Sequence, residues 1–356
     1  MNRIITESDF EKLLLNNKNR YIEKTNNFYA RERVLIVSDK KEDILDFKKC
    51  TDSEPSEIIT LLNDDELTSL LKKNKRKSVF IHTHALTKRV YNKMAPHGII
   101  PDNVYVGPNS HGYIDLYEKR NVIYSNIEKI CKVYNLLYDN QSKQIYLDCM
   151  TRLIAPYQFH YPYIESRIQY FHDAFTFSNK EVFIDAGMYD GRDTINFLEK
   201  VNHKYSAVYG FEADPENYMQ TKDNLSQYSN IILYNAALGC HDGNCRFLSS
   251  YSSTKRSNPH VGNDGDITVA SMSGDNLLVP ATFIKMDIEG SEIDALKGLR
   301  KTISMHKPKL AICIYHWQSD FWNIPLLIHE FNPAYKIAIY NHSNMSNLLE
   351  TVCYAW

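Results

Sequence analysis

Charged residues occupy alternate positions within the hydrophobic segment Ile284-Lys285-Met286-Asp287-Ile288-Glu289-Gly290-Ser291-Glu292. In an extended strand alternate side chains share a face, so Lys285, Asp287 and Glu289 project together. Carboxylates crowded on an apolar strand are costly to bury unless they are used. Such a set suits proton abstraction from an acceptor or ligation of a divalent ion; with Lys285 neutralising the acids it becomes a structural ion network instead. His316 follows a second apolar run, LAICIY at 310–315. It joins Asp287 and Glu289 as a candidate general base, against the alternative of a buried hydrogen-bonded or helix-capping histidine. The same three side chains could hold magnesium or manganese and so acidify a hydroxyl.

Two further segments have the composition of ligand turns. Asp185-Ala186-Gly187-Met188-Tyr189-Asp190-Gly191 ends one apolar run and leads into a helix opened by Asp193 and Thr194. Small residues at a strand-to-helix turn let the backbone approach a ligand at the carboxyl edge of a sheet. This is not the GxGxxG of a dinucleotide site, and Asp185 would repel a phosphate. The turn better suits a ligand carrying an ammonium and a carboxylate. Glu212, at the end of the next run (SAVYGFEAD), is placed to accept both ribose hydroxyls of a nucleoside. Asp214 before Pro215 reads as a helix N-cap with proline at the first helical position. The run Asn235-Ala236-Ala237-Leu238-Gly239 could floor an adenine slot or pack on a helix.

These residues need a scaffold, and the second half of the chain supplies the pattern for one. Strand-like runs EVFIDAG, SAVYGFEAD, NIILYNAALG, FIKMDIEG and KLAICIYH alternate with helical segments Thr194–Val201, Pro215–Leu225 and Glu292–Leu299. That alternation predicts a mostly parallel sheet covered by helices on both faces. Two final runs, YKIAIYNH and ETVCYAW, joined by the polar SNMSN, predict an antiparallel edge. In the first half, Arg33–Ser38 and Ser78–His82 read as strands and Ser56–Leu71 as an amphipathic helix ending in the basic Lys72–Lys77 run. The turn SDKKED after the first strand lacks the glycines of a phosphate loop. The expected organisation is a partial Rossmann-like α/β lobe at 1–125, a helical connector at 126–178 and the main α/β domain at 179–356. The polar loop 249–265 is expected to line the acceptor entrance with Lys255, Arg256 and His260. Tyr189, Trp317 and Trp322 are candidates to stack on a sugar face.

Composition bounds the partners. The 356 residues carry 41 Lys plus Arg against 43 Asp plus Glu, a net −2 that gives no basic field for nucleic acid. No apolar run approaches the ~18 residues needed to span a bilayer. The opening residues show no basic-then-apolar signal pattern, so the cytoplasm is the expected location. The 7 cysteines are scattered without a CxxC pair and read as reduced and structural.

Taken in order, DAGxxxG, GFEADP, NAALG, IKMDIEGSE and IYHWQSDFWNIP resemble the FkbM-type methyltransferases, S-adenosylmethionine-dependent enzymes, over about residues 140–356. The resemblance implies a class I methyltransferase (Rossmann-like) fold, a seven-stranded sheet whose last strand is antiparallel. It implies that Gly187 and Gly191 cradle the methionine part of the donor, that Asp185 lies near its ammonium, and that Glu212 holds the ribose. The donor site so expected comprises Asp185, Gly187, Tyr189, Gly191, Glu212, Ala213, Asn235, Ala236 and Asp287, with Asp287, Glu289 and His316 at the transfer site. The implied activity is O-methylation of a sugar, or sugar-nucleotide, hydroxyl in surface-polysaccharide or glycosylated-metabolite synthesis. Alternatives are a lipid or other non-sugar acceptor, or a non-catalytic carbohydrate-binding subunit of a glycan-synthesis complex. A homo-oligomer is compatible with either.

Overall fold

The computed structural model describes residues 4–31, 34–38, 57–60, 78–81, 104–106, 120–154, 169–249, 260–263, 265–342 and 348–356. Its residues fall into two compact units, one comprising 1–131, 144–165 and 343–348, the other 132–143, 166–342 and 349–356. The helical segment expected at 126–178 is therefore shared between them.

In the first unit, α1 (Glu7–Arg31) precedes four short strands, β1 (Val34–Ser38), β2 (Glu57–Thr60), β3 (Ser78–Ile81) and β4 (Val104–Val106). They form an all-parallel sheet in the order β2-β1-β3-β4. Residues 57–60 are strand and not the first turn of a helix, which corrects the reading of Ser56–Leu71 at its start, 61–71 lying outside the described residues; the β-branched pair Ile58-Ile59 pairs with Ile36 and Val37 of β1. The basic run 72–77 lies outside the described residues. Helices α2 (Arg120–Ser125), α3 (Ile127–Leu136) and α4 (Asn140–Ile154) follow, with residues 132–143 counted in the second unit. Phe10 and Leu14 of α1 are buried, and Asn17 donates to Asp148 and Thr151 of α4 at 2.9 Å each.

The second unit is built on β5 (Val182–Ala186), β6 (Ala207–Phe211), β7 (Ile231–Tyr234), β12 (Phe283–Met286), β13 (Lys309–Cys313), β14 (Ile337–Asn341) and β15 (Thr351–Ala355). Their order across the sheet is β7-β6-β5-β12-β13-β15-β14. All neighbours are parallel except β15, which runs antiparallel to both β13 and β14. The closing pair is antiparallel, as its sequence implied, but the antiparallel strand is not at the edge. It fills a slot one strand in, which is why every residue of Thr351–Ala355 is buried. Helices α5 (Arg192–Lys200), α6 (Pro215–Asn224), α7 (Glu292–Gly298), α8 (Arg300–His306) and α9 (Asp320–Phe331) connect the strands.

NIILYNAALG, read as one strand, is two. The chain leaves the main sheet at Asn235, and β8 (Ala236–Gly239) joins β9 (Gly243–Leu248), β10 (His260–Val261) and β11 (Ile267–Ser273) in a separate four-stranded sheet. The main core is aromatic. Phe183 and Phe283, neighbours on β5 and β12, stack at 4.7 Å, with Phe197 at 4.5 Å from Phe183 and Phe177 at 5.3 Å from Phe283. No helix among the described residues is long and apolar enough to cross a membrane.

Candidate functional site

The carboxyl ends of β5, β6 and β12 open onto a cavity of about 500 Å³, a size suited to a small organic ligand. The turn after β5 is shaped by two glycines. Gly187 has φ +77°, and a Cβ there would overlap the backbone carbonyl of Asp287, so only glycine lets the two strand ends close together. Gly191 has φ +80° and caps α5, its amide reaching Met188 O at 2.8 Å. Tyr189 between them also lies in the left-handed region, φ +53°. Glu289 (φ +53°) and Glu350 (φ +58°) share this conformation and line the same cavity. Left-handed non-glycine residues cluster where the surrounding structure forces a functional shape.

Glu212 is held by the backbone. Its Oε2 accepts the Tyr189 amide at 2.8 Å and its Oε1 the Asp214 amide at 2.9 Å. Burial nonetheless outweighs those bonds and raises its pKa to about 7. Asn235 Nδ2 donates to the backbone oxygens of Glu212 and Ala213 at 3.0 and 3.3 Å, fixing the loop from β7's side. Asp214 is the helix cap anticipated from its proline, accepting from Glu216 and Asn217.

Asp185 is turned away from the ligand space. It is fully buried, accepts from Thr194 at 2.7 Å and pairs with Lys285 Nζ at 3.2 Å. Lys285, across the register from it, also reaches Asp193 at 3.3 Å and donates to Gly187 O at 2.6 Å. Those acceptors hold its ammonium well above the ordinary lysine pKa despite burial. Lys285 thus neutralises Asp185 and Asp193 and ties the charge pair to the glycine turn.

Asp287 faces the cavity from the end of β12. Its Oδ2 accepts the Tyr170 hydroxyl at 2.8 Å and its Oδ1 the Tyr315 hydroxyl at 3.1 Å. Burial pushes its pKa up, but His316, Lys285 and these hydroxyls together bring it below the usual carboxylate range. His316 lies one layer back. Its Nδ1 is 2.9 Å from Oε1 of the fully buried Glu292, and its Nε2 is 3.4 Å from Asp287 Oδ1 and 3.5 Å from Glu289 Oε2. Desolvation opposes its charge, yet the three acids raise its pKa to about 10. An imidazole so held is a cation at neutral pH and not a ready base. Ligand atoms of Asp287, Glu292 and His316 lie within 4.8 Å of one another, so this corner could accommodate a cation.

The structure gathers Gly187, Tyr189, Glu212, Ala213, Ala236, Asp287 and Glu289 around one cavity, while Asp185, Gly191, Asn235 and His316 are not among the residues that line it. Trp322 is buried in the core and offers no face to a sugar; Tyr189 and Trp317 are exposed by 66% and 58%. Of the expected entrance loop, Lys255 and Arg256 lie outside the described residues, and His260 opens β10, whose Val261 lines the cavity. Sequence reasoning missed Tyr170, Tyr315 and Glu350. Tyr315 directly precedes His316 at a strand end, which was a usable signal; nothing local marks the other two.

Residues 185–350 match the methyltransferase FkbM domain. Methyltransferase FkbM from Methylobacillus flagellatus KT is similar in structure at 20% identity, the alignment covering 99% of this chain and 100% of that one with a TM-score of 0.61. An rRNA methylase from Streptococcus thermophilus aligns at 18% identity over 50% of this chain and 86% of its own, TM-score 0.31. No curated protein matches the sequence.

Proposed function

Residues 185–350 match the FkbM methyltransferase domain family, and from that likeness we propose that the chain moves a methyl group from S-adenosylmethionine to a hydroxyl oxygen, with a sugar of a surface polysaccharide or glycosylated metabolite as acceptor. The observation that carries the donor assignment is the Glu212 carboxylate, aimed at the cavity beside a glycine turn that no side chain could occupy. When bound, the donor supplies an electrophilic methyl on a sulfonium. Glu212 accepts the ribose hydroxyls, while the small and apolar Ala236, Leu238 and Phe247 give a slot for the base. Gly187 and Tyr189 bring backbone against the amino-acid portion. Asp185 acts through Lys285, holding the turn instead of touching the ligand. Positioning supplies most of such a catalyst's effect, because an in-line displacement depends on alignment. Asp287 and Glu289 form the acidic wall facing the acceptor and take up its hydroxyl proton. Tyr170 and Tyr315 fix the orientation of Asp287.

Calorimetric titration of S-adenosylmethionine into wild type and Glu212→Gln, followed by transfer of labelled methyl to a panel of glycosides, tests the reading. Clear wild-type binding, weakened in the variant, supports it. A folded wild type that binds no donor refutes it.

A further inference from the structure

The loop that leaves β13 puts a large aromatic side chain in solvent and then fixes it there. Trp317 is 58% exposed, whereas Trp322 of α9 is buried. A lone exposed ring is ordinary on a protein surface, but this one is held through both its side chain and its backbone. Its indole Nε1 donates to Gly290 O at 3.0 Å. Its backbone amide donates to Oδ2 of the buried Asp320 at 3.2 Å, and its carbonyl accepts the Asp320 amide at 3.0 Å. The indole fits because position 290 is glycine: φ there is +98°, and a Cβ would overlap Trp317 Nε1. The polar edge of the ring is thus satisfied from the protein side, and what solvent meets is apolar ring in a set orientation.

The place of the ring gives it a use. β13 runs parallel to β12, so Trp317 lies at the same carboxyl edge of the sheet as the cavity, where open α/β folds take their ligands. Gly290, on which the indole rests, stands between Glu289 and Ser291, and both of these line the cavity, as does Asp287. The lip therefore sets a rigid apolar plane beside carboxylate oxygens. A pyranose has the matching chemistry: a face of polarised C–H bonds that packs on the electron-rich face of an indole, and hydroxyls on its rim that donate to carboxylates. A phosphorylated sugar would bring like charge against Asp287, and an alkyl chain would leave the acids without donors. Because the ring is already ordered, docking on it costs little side-chain entropy.

We propose that Trp317 is the platform on which an uncharged pyranose acceptor stacks, and so a specificity-determining residue of this chain. The proposal rests on the reading that the Asp287 wall faces the acceptor, and it narrows that acceptor to a neutral sugar ring.

The test reads sugar binding and not turnover. Full-length protein is titrated calorimetrically with S-adenosylhomocysteine and then, with that ligand present, with the methyl β-glycosides of glucose, galactose, mannose and xylose. Glucose phosphate and octyl glucoside serve as comparisons, and tryptophan emission is followed in parallel. In wild type at least one methyl glycoside should bind and move the emission to shorter wavelength, as covering an exposed indole does, while glucose phosphate should not bind. Trp317→Leu should weaken the glycoside about tenfold or more, the loss that truncating an aromatic anchor brings. Trp317→Phe keeps a ring face without the bond to Gly290 and should recover most of that affinity. Emission should stop responding in both variants, with S-adenosylhomocysteine affinity and melting temperature unchanged. If Trp317→Leu does not fold, the emission response of wild type against Trp317→Phe decides. Glycoside affinity unchanged in folded Trp317→Leu, an emission response that persists in Trp317→Phe, or binding that needs the octyl chain or takes the phosphate equally well overturns the platform. Equal losses in the two variants also overturn it, since they mark a ring that merely holds Gly290. Wild type that binds S-adenosylhomocysteine but no glycoside overturns the platform and leaves the donor reading standing. Trp317-dependent glycoside binding without S-adenosylhomocysteine binding does the reverse.

Discussion

Glu212 should make donor binding rise with pH across neutrality. Its carboxylate is 7% exposed and receives two backbone amides, yet burial holds its pKa at about 7. Hydroxyl donors bind the ionised form more strongly than the acid, since charged hydrogen bonds contribute about 1.5–3 kcal/mol against about 0.5–1.5 for neutral ones. With a pKa near 7, roughly a tenth of the sites are ionised at about pH 6 and roughly nine tenths at about pH 8. If only the ionised form binds, affinity climbs about tenfold, or about 1.4 kcal/mol, over that interval. Binding also expels about half a proton at pH 7 through this group. The assay is calorimetry with S-adenosylhomocysteine at three pH values in buffers of different ionisation heat, on wild type and Glu212→Gln. The variant cancels any titration of the ligand itself. Folding runs the opposite way: a carboxyl whose folded pKa is raised stabilises the fold fully below its ordinary value of 4.5, and that contribution is lost as pH rises through about 7. The melting temperature of wild type should therefore fall relative to Glu212→Gln between about pH 5 and 8. Identical pH profiles for the two proteins, in binding and in melting, would refute the reasoning.

Other substitutions probe the scaffold. Gly187→Ala should abolish donor binding and destabilise the fold by about 1–3 kcal/mol, from left-handed strain and collision with the Asp287 carbonyl; equilibrium denaturation and calorimetry measure both. Lys285→Met strands the buried Asp185 without its partner and should lose about 3–5 kcal/mol in urea unfolding, with Asp185→Asn/Lys285→Met recovering part of it. Phe283→Ala removes the ring against which Phe183 and Phe177 pack and should lose about 3–5 kcal/mol. Tyr315→Phe removes one donor to Asp287 and should leave melting nearly unchanged while lowering methyl transfer.

The parallel core was legible because β5, β12 and β13 are short, nearly continuous apolar runs buried on both faces, separated by helices of crossover length. The same property hid where β15 goes. Its fully apolar-facing sequence specifies burial on both faces, but not which two strands flank it. Periodicity likewise could not separate β7 from β8, since the switch of sheets at Asn235 interrupts no hydrophobic pattern. At 57–60 the apolar residues fit the start of a helical face, yet Ile58 and Ile59 are β-branched and pair with β1, so long-range pairing overrode local period there. At the site, acids and glycines at strand ends announced themselves through spacing. Tyr170 did not, because its hydroxyl reaches Asp287 from 117 residues away in sequence and from a turn with no motif.

The glycine turn and the acidic wall are set by one register. Pairing of β5 with β12 puts Asp185 opposite Lys285 and Ala186 opposite Met286, so the next residues out, Gly187 and Asp287, meet at the sheet's edge. Asp287 N donates to Ala186 O at 3.1 Å, and the space a Gly187 side chain would fill is taken by the Asp287 carbonyl. Lys285 then bonds the Gly187 carbonyl from below while pairing with Asp185 and Asp193. A slip of one residue between these strands would turn Lys285 and Asp185 to opposite faces and separate the glycine turn from the acid. The buried ion pair therefore has a structural use that its own net stability does not explain, since two charges away from water gain little over apolar replacements. It fixes the alignment by which the glycine turn and Asp287 come to lie side by side, the juxtaposition that the proposed donor and acceptor positions require.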